Sequence, residues 1–145
     1  MWCIENVGLF GIKPENGSSK ERVIVTTRNH PSRNVEKTIE AIKPTEILRV
    51  GGVGYKVLCL VDGSAHIYAY PSSGTKKWDT CAPEAMLNSI GGKLTDCFGE
   101  PLQYDKDIQH LNSSGLLATV NEELHSECLK LIPESVKATL VKPNI

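Results

Sequence analysis

The 145-residue sequence has neither the long apolar run of a membrane protein nor the charge excess of a nucleic-acid-binding protein. No apolar stretch approaches the roughly 18 residues of a membrane span, and the N-terminus has no basic region followed by an apolar signal core. Its 16 Lys and Arg residues are balanced by 17 Asp and Glu residues, so no strongly charged surface is expected. We therefore expect no nucleic-acid partner and no membrane partner.

The cysteines follow no recognisable spacing pattern. The five cysteines are odd in number and widely spaced, without a C-x-x-C pair, so neither a disulfide framework nor a zinc site is expected. We interpret them as reduced thiols, mostly buried or half-buried, which favours a cytoplasmic location. They are Cys3, Cys59, Cys81, Cys97 and Cys128.

The chain is long enough for one ordinary hydrophobic core. With 40% hydrophobic residues, we expect a single domain that spans residues 1–145. Strand patterns alternate with helical patterns, which predicts an α/β fold: a layered sheet with helices on its faces. The predicted strands are residues 23–27, 46–50, 65–70, 93–96 and 116–120, and the predicted helices follow Ser32, Gly54 and Asn121 and begin at Asp79.

Polar loops follow the first three predicted strands. They are residues 26–30, the glycine-rich turn 51–56 and the loop that leads into Asp79. In layered α/β sheets, ligands bind beyond the carboxyl ends of the strands, so these loops can form one site. The glycine turn allows backbone N–H groups to approach a phosphate, and Lys56 adds a positive charge. It has neither P-loop nor G-x-G-x-x-G spacing, and a simple tight connection is the alternative.

Single residues in these loops are open to two interpretations. Asp79, at a helix N-terminus, can point towards a cation or can merely cap the helix above a packed Trp78. His30 can contact a ligand or be a solvated surface histidine. Cys81 lies two positions after Asp79, but no base accompanies it in the sequence, so buried packing is preferred over a nucleophilic role.

Residues 76–84 read Lys-Lys-Trp-Asp-Thr-Cys-Ala-Pro-Glu. This segment resembles the second metal-site motif of the Mg-dependent, lithium-sensitive phosphatase superfamily that includes inositol monophosphatase. The chain is most similar to the 3'(2'),5'-bisphosphate nucleotidase branch, and the similarity extends over residues 24–30, 48–56, 91–96, 102–104, 112–113 and 133–135.

The resemblance implies a function and a site. It implies a phosphomonoesterase that removes the 3'-phosphate of adenosine 3',5'-bisphosphate, or acts on the 2',5' isomer, and leaves AMP. Asp79 would be a Mg²⁺ ligand. The nucleotide would be contacted by Thr27, His30, Gly52 and Lys56.

The sequence departs from this family in one respect. It contains no Asp-Pro-x-Asp segment, which in the family holds metal together with an upstream Glu. We therefore expect the C-terminal half of an inositol monophosphatase-like αβαβα fold, without the N-terminal metal-binding half and its catalytic residues. Such a chain would be a truncated product, a short isoform or an incomplete gene model, with little turnover alone, because one aspartate cannot assemble a two-metal site.

Other interpretations remain open at this point. The chain could be a non-catalytic nucleotide- or phosphate-binding fragment, or a relative with another substrate, such as inositol polyphosphate 1-phosphatase. An apolar N-terminal segment without a polar leader also predicts self-association, since exposed apolar patches favour interfaces. The residues concerned are Trp2, Ile4, Val7, Leu9 and Phe10.

Overall fold

The computed structural model describes residues 2–4, 8–11, 22–28 and 31–143. Strands and helices alternate along most of this range. The strands are β1 (Trp2–Ile4), β2 (Gly8–Phe10), β3 (Val23–Thr27), β4 (Glu46–Val50), β5 (Ile67–Tyr70), β6 (Thr75–Lys76), β7 (Lys93–Thr95), β8 (Leu111–Asn112) and β9 (Leu116–Thr119). The helices are α1 (Arg33–Ile42), α2 (Val53–Val61), α3 (Lys77–Asn88), α4 (Glu122–Leu131) and α5 (Glu134–Lys137).

A five-stranded sheet in the order β4-β3-β5-β9-β7 forms the centre of the fold. Strand β3 pairs in parallel with both β4 and β5, and Thr27 lies opposite Val50. Strand β9 runs antiparallel to β5 and to β7. The carboxyl ends of β3, β4 and β5 therefore meet at one edge of the sheet.

Helices cover both faces of this sheet. Successive strand residues point to opposite faces, so Val25 packs with α2 and Leu87 of α3, whereas Ile24 packs with Ile42 and Cys128 of α1 and α4. All five of these residues are fully or almost fully buried. The result is a three-layer arrangement, which confirms the predicted α/β sheet with helices on its faces.

Side-chain caps fix where two of the helices begin. Ser32 Oγ accepts a hydrogen bond from Val35 N, and Asn121 Oδ1 accepts one from Leu124 N at 2.8 Å. Each cap satisfies a backbone N–H group that the first turn leaves unpaired. Helix α1 ends at Lys43, whose φ of 52° is left-handed, directly before Pro44. These boundaries agree with the predicted starts after Ser32 and Asn121.

Several features were not predicted. The short strands β6 and β8 pair with each other outside the central sheet, and α5 follows α4 after one turn. Of the five apolar residues predicted to self-associate, Phe10 alone has its side chain among those described, and it is 39% exposed. Within the described ranges, no helix is long and apolar enough to cross a membrane.

Candidate functional site

The glycine turn and Thr27 lie at the sheet edge where β3, β4 and β5 end. Thr27 is the last residue of β3, and Gly51 and Gly52 follow β4 directly and are exposed. Gly52 is the N-cap of α2 and has a φ of 74°, a conformation that other residues adopt at a cost. The positive end of the α2 dipole therefore opens onto this edge behind an exposed glycine turn, an arrangement suited to an anion.

Lys56 lies in the first turn of α2 and is only 5% exposed. Its Nζ lies 5.4 Å from the centroid of the Tyr68 ring, a cation–π contact. Among the described residues, no carboxylate lies within ion-pair distance of this ammonium. Burial lowers the pKa of Lys56, because desolvation disfavours the charged form. Burying an ammonium group without a counter-charge destabilises the free protein, because the group loses its hydration. An anionic ligand that pairs with the group offsets this loss, so the arrangement favours anion binding.

Asp79 belongs to the first turn of the neighbouring helix α3. The helix begins two residues earlier than predicted, at Lys77, and Asp79 Oδ2 accepts a hydrogen bond from Lys76 N at 2.8 Å. Asp79 therefore does cap its helix, but from inside the first turn. Its Oδ1 has no hydrogen-bond partner among the described residues. The alternative interpretation, in which Trp78 packs beneath this cap, does not hold, since Trp78 is 60% exposed and its ring contacts that of His110.

Tyr68 links Lys56 and Asp79. It is 1% exposed, and burial raises its pKa, with further increases from the charges of Tyr70 and Asp79. Lys56 thus contacts the Tyr68 ring, and the charge of Asp79 acts on the Tyr68 hydroxyl group. The first turn of α2 also lies against α3 one turn after Asp79, since a methyl group added at Gly54 would contact Pro83 Cγ at 3.8 Å. Sequence analysis missed Tyr68, because the sequence placed it only within the predicted strand 65–70.

Two loops at this edge are fixed to each other. The hydroxyls of Ser32 and Ser72 are 2.8 Å apart, which joins the segment after β3 to the loop after β5. Arg28, directly after β3, is exposed. His30 lies outside the described residues, so its predicted ligand contact stays a prediction. The edge therefore holds Thr27, Gly52 and Lys56, with Asp79 close by.

The metal prediction can be tested against the available oxygen ligands. Mg²⁺ takes about six oxygen ligands, usually one or two carboxylates with water and phosphate. Within the described part of the chain, no group of three or more His, Cys, Asp or Glu side chains is placed to hold a metal ion. Asp79 Oδ1 can supply one ligand. The described residues alone do not form a Mg²⁺ site, and no chemical step can be assigned through one.

The four cysteines whose side chains the structure describes fall into two groups. Cys59, Cys97 and Cys128 are buried, as predicted, and burial raises the pKa of each thiol. Cys81 is exposed, so the prediction that it packs inside the protein is wrong. It lies on the solvent side of α3, because Thr80 and Leu87 occupy the buried side of that helix.

Comparison with known proteins defines the family. The sequence model of the inositol monophosphatase family matches residues 10–137. The chain therefore belongs to the inositol monophosphatase family. It is 44% identical over 142 residues to 3'(2'),5'-bisphosphate nucleotidase 1 of Rattus norvegicus, which covers 97% of this chain and 45% of the relative. The chain thus spans less than half the length of the curated relatives it matches.

Solved structures show the same fold. Inositol monophosphatase-II from Staphylococcus aureus MSSA476 superposes with a TM-score of 0.69 at 18% identity, covering 91% of this chain and 49% of that one. The 2'AMP-bound SaIMPase-II structure superposes with a TM-score of 0.67 at 18% identity, covering 88% and 48%. At 18% sequence identity, the structural similarity shows a shared fold and no more.

Proposed function

We propose that this chain carries the nucleotide pocket of a phosphomonoesterase that removes the 3'-phosphate of adenosine 3',5'-bisphosphate and leaves AMP. The observation that carries the proposal is Lys56, a buried ammonium without a carboxylate partner among the described residues, at the head of a helix that follows two glycines. The similarity to the rat bisphosphate nucleotidase supports the substrate class. The neighbour bound to 2'AMP supports an adenosine phosphate as ligand.

In this proposal each residue of the edge has a defined role. The N–H groups of the glycine turn donate hydrogen bonds to the nucleotide phosphate, and the α2 dipole and Lys56 balance its charge. Thr27 and His30 contact the sugar or the base from the neighbouring strand. Tyr68 holds Lys56 in place through its ring face. A polar pocket of this kind orients the substrate and so supplies the positioning part of catalysis.

The proposed reaction depends on Mg²⁺, and this chain supplies only part of the coordination of the ion. Asp79 contributes one oxygen ligand, and the other ligands come from the substrate phosphate, water and further carboxylates. We propose that residues 1–145 correspond to the C-terminal half of the family fold, which is consistent with the 45% share of the rat relative. Lithium sensitivity, a cytoplasmic location and self-association through the N-terminal segment are parts of the same proposal.

A second candidate function is nucleotide or phosphate binding without catalysis. The observation that favours it is that the described residues bring no group of three or more His, Cys, Asp or Glu side chains together for a metal ion. Both candidates share the pocket and differ in turnover.

Phosphate release distinguishes the two candidates. The purified 145-residue chain is incubated with adenosine 3',5'-bisphosphate and Mg²⁺, with and without lithium, and AMP binding is measured in parallel. We expect AMP binding with little or no phosphate release, because one carboxylate stands where hydrolysis needs a cluster. Robust release that Asp79→Ala abolishes would contradict this expectation and assign full catalysis to this chain.

A further inference from the structure

Tyr55 is a largely exposed aromatic residue in the first turn of α2. It lies between Gly54 and Lys56, three residues after the N-cap Gly52, and it is 58% exposed. At a rise of about 1.5 Å per residue, its position is only about 4.5 Å further along the helix axis than that of Gly52. Regular helical backbone therefore holds the Tyr55 ring close to the glycine turn.

The direction of helical side chains places the Tyr55 ring on the N-terminal side of its own Cα. Side chains of an α-helix point back towards the N-terminus, so a helical residue covers the turn that precedes it. For Tyr55 that turn is residues 51–54, where the helix leaves N–H groups free for an anion. Lys56, the next residue, points inwards and lies against the Tyr68 ring. The N-terminus of α2 thus carries a buried ammonium group on one side and an exposed aromatic ring on the next.

The ring and the hydroxyl group of Tyr55 have no partner among the described residues. Other exposed aromatic side chains of the described chain do have partners. The Tyr104 hydroxyl group is hydrogen-bonded to Glu84, and the Trp78 ring lies 5.5 Å from that of His110, measured between ring centroids. The Tyr55 ring therefore keeps a face that is free to cover a planar ligand.

The nucleotide proposed for this pocket needs a contact of this kind. The glycine turn and Lys56 serve its phosphate, and Thr27 and His30 serve its sugar or the polar edge of its base. None of these groups covers the flat π face of the base, which proteins commonly bind by stacking on an aromatic side chain. The first turn of α2 contains no acidic residue that would repel the phosphate. An aromatic ring beside this helix end thus supplies the missing contact.

We propose, on the basis of the nucleotide pocket proposed above, that the Tyr55 ring is the platform on which the nucleotide base stacks. The phosphate lies at the N-terminus of α2 beside Lys56, and the base lies over the first turn of the helix against the ring. Because every base has a π face, this contact selects a nucleotide over a sugar phosphate and discriminates little between bases.

Calorimetric titrations of the 145-residue chain with AMP and with ribose 5-phosphate, which lacks the base, test this contact. Tyr55→Ala should weaken AMP binding by about tenfold and leave ribose 5-phosphate binding unchanged, because only the stacking is lost. Tyr55→Phe keeps the ring and should restore AMP binding. Val141→Ala also shortens an exposed apolar side chain, but far along the chain from α2, and as the matched control it should change neither affinity.

Proton NMR of bound AMP provides a second measurement that a purely structural role of Tyr55 would not affect. Protons that lie over the face of an aromatic ring are shielded. The adenine H2 and H8 resonances should therefore move upfield when AMP binds to the unchanged chain and to Tyr55→Phe, and should not do so with Tyr55→Ala.

The outcomes separate the stacking contact from the pocket itself. The stacking proposal is overturned, and the pocket is kept, if AMP binds to the chain and to Tyr55→Ala with equal affinity. The same holds if Tyr55→Ala weakens ribose 5-phosphate as much as AMP, or if the adenine protons of AMP bound to the unchanged chain do not move upfield. If the unchanged chain binds no AMP, the proposed nucleotide pocket fails and the stacking contact fails with it.

Discussion

Acid should destabilise this protein largely through one buried histidine, His125 in α4. His125 is 2% exposed, and its ring Nε2 lies 2.9 Å from Thr95 Oγ1. The Thr95 hydroxyl donates to Asp96 O at 2.7 Å, so the Nε2–H group of a neutral imidazole donates to Thr95. Burial and, to a smaller extent, the charge of Lys93 lower the pKa of His125 to about 4, while Glu122 opposes these effects.

The direction and size of this loss of stability follow from the difference between the pKa values of His125 in the folded and unfolded chains. The unfolded chain binds a proton at His125 near its ordinary pKa of 6.5, whereas the folded chain does so only near pH 4. Stability is therefore full above pH 6.5 and decreases as the pH falls from 6.5 to 4. At 1.36 kcal/mol per pKa unit, the decrease is about 2 kcal/mol by pH 5 and about 3 kcal/mol by pH 4.

Urea unfolding at pH 7, 5 and 4 measures this contribution. Other groups titrate in the same range, so the informative quantity is the difference between the unchanged chain and His125→Gln. The variant keeps a side-chain N–H donor but cannot take up the proton, and it should lose about 3 kcal/mol less stability between pH 7 and pH 4. His110→Gln, at an exposed position, is the matched control and should behave like the unchanged chain. Equal pH dependence in the chain and in His125→Gln would refute the argument.

Two further predictions concern stability and use the same unfolding assay. Gly92→Ala should destabilise the chain by about 1–3 kcal/mol, because the added Cβ would lie 2.8 Å from Thr119 O and 2.5 Å from Leu87 Cδ1. Gly51→Ala, with no atom within 4 Å of the new Cβ, is its control, and equal stability of both variants would contradict the packing argument. Asn121→Ala should lower the free energy of unfolding by about 1 kcal/mol, because it removes the side-chain cap of α4. An unchanged midpoint of urea unfolding would show that the cap contributes nothing to stability.

Much of the fold could be predicted because its signals are local. A β-branched run predicted β3, and a capping side chain followed by apolar residues at helical spacing predicted α1 and α4. The antiparallel direction of β9 was not predictable, since pairing between β5 and β9 joins residues about 50 positions apart in the chain. The two-residue strands β6 and β8 are too short to give any periodic pattern.

The candidate site was predictable only in part, because some of its features depend on contacts between segments that are distant in the sequence. A glycine turn after a strand is visible in the sequence and identifies Gly52 and Lys56. The burial of Lys56, its contact with Tyr68 and the nearness of Asp79 depend on how α2 and α3 pack together. The exposure of Tyr55 was not predicted, because it depends on which side of α2 packs against the sheet and against α3.

The central claim is that the edge formed by Thr27, Gly52 and Lys56 binds a nucleotide phosphate. Calorimetric titration of AMP into the 145-residue chain and into Lys56→Met tests it most directly, with Lys130→Met on the exposed side of α4 as control. Methionine fills the space of the lysine stem without a charge, so folding should not suffer. We expect saturable AMP binding that Lys56→Met weakens by about tenfold or more and Lys130→Met leaves unchanged. Equal AMP binding by the chain and by Lys56→Met would contradict the claim.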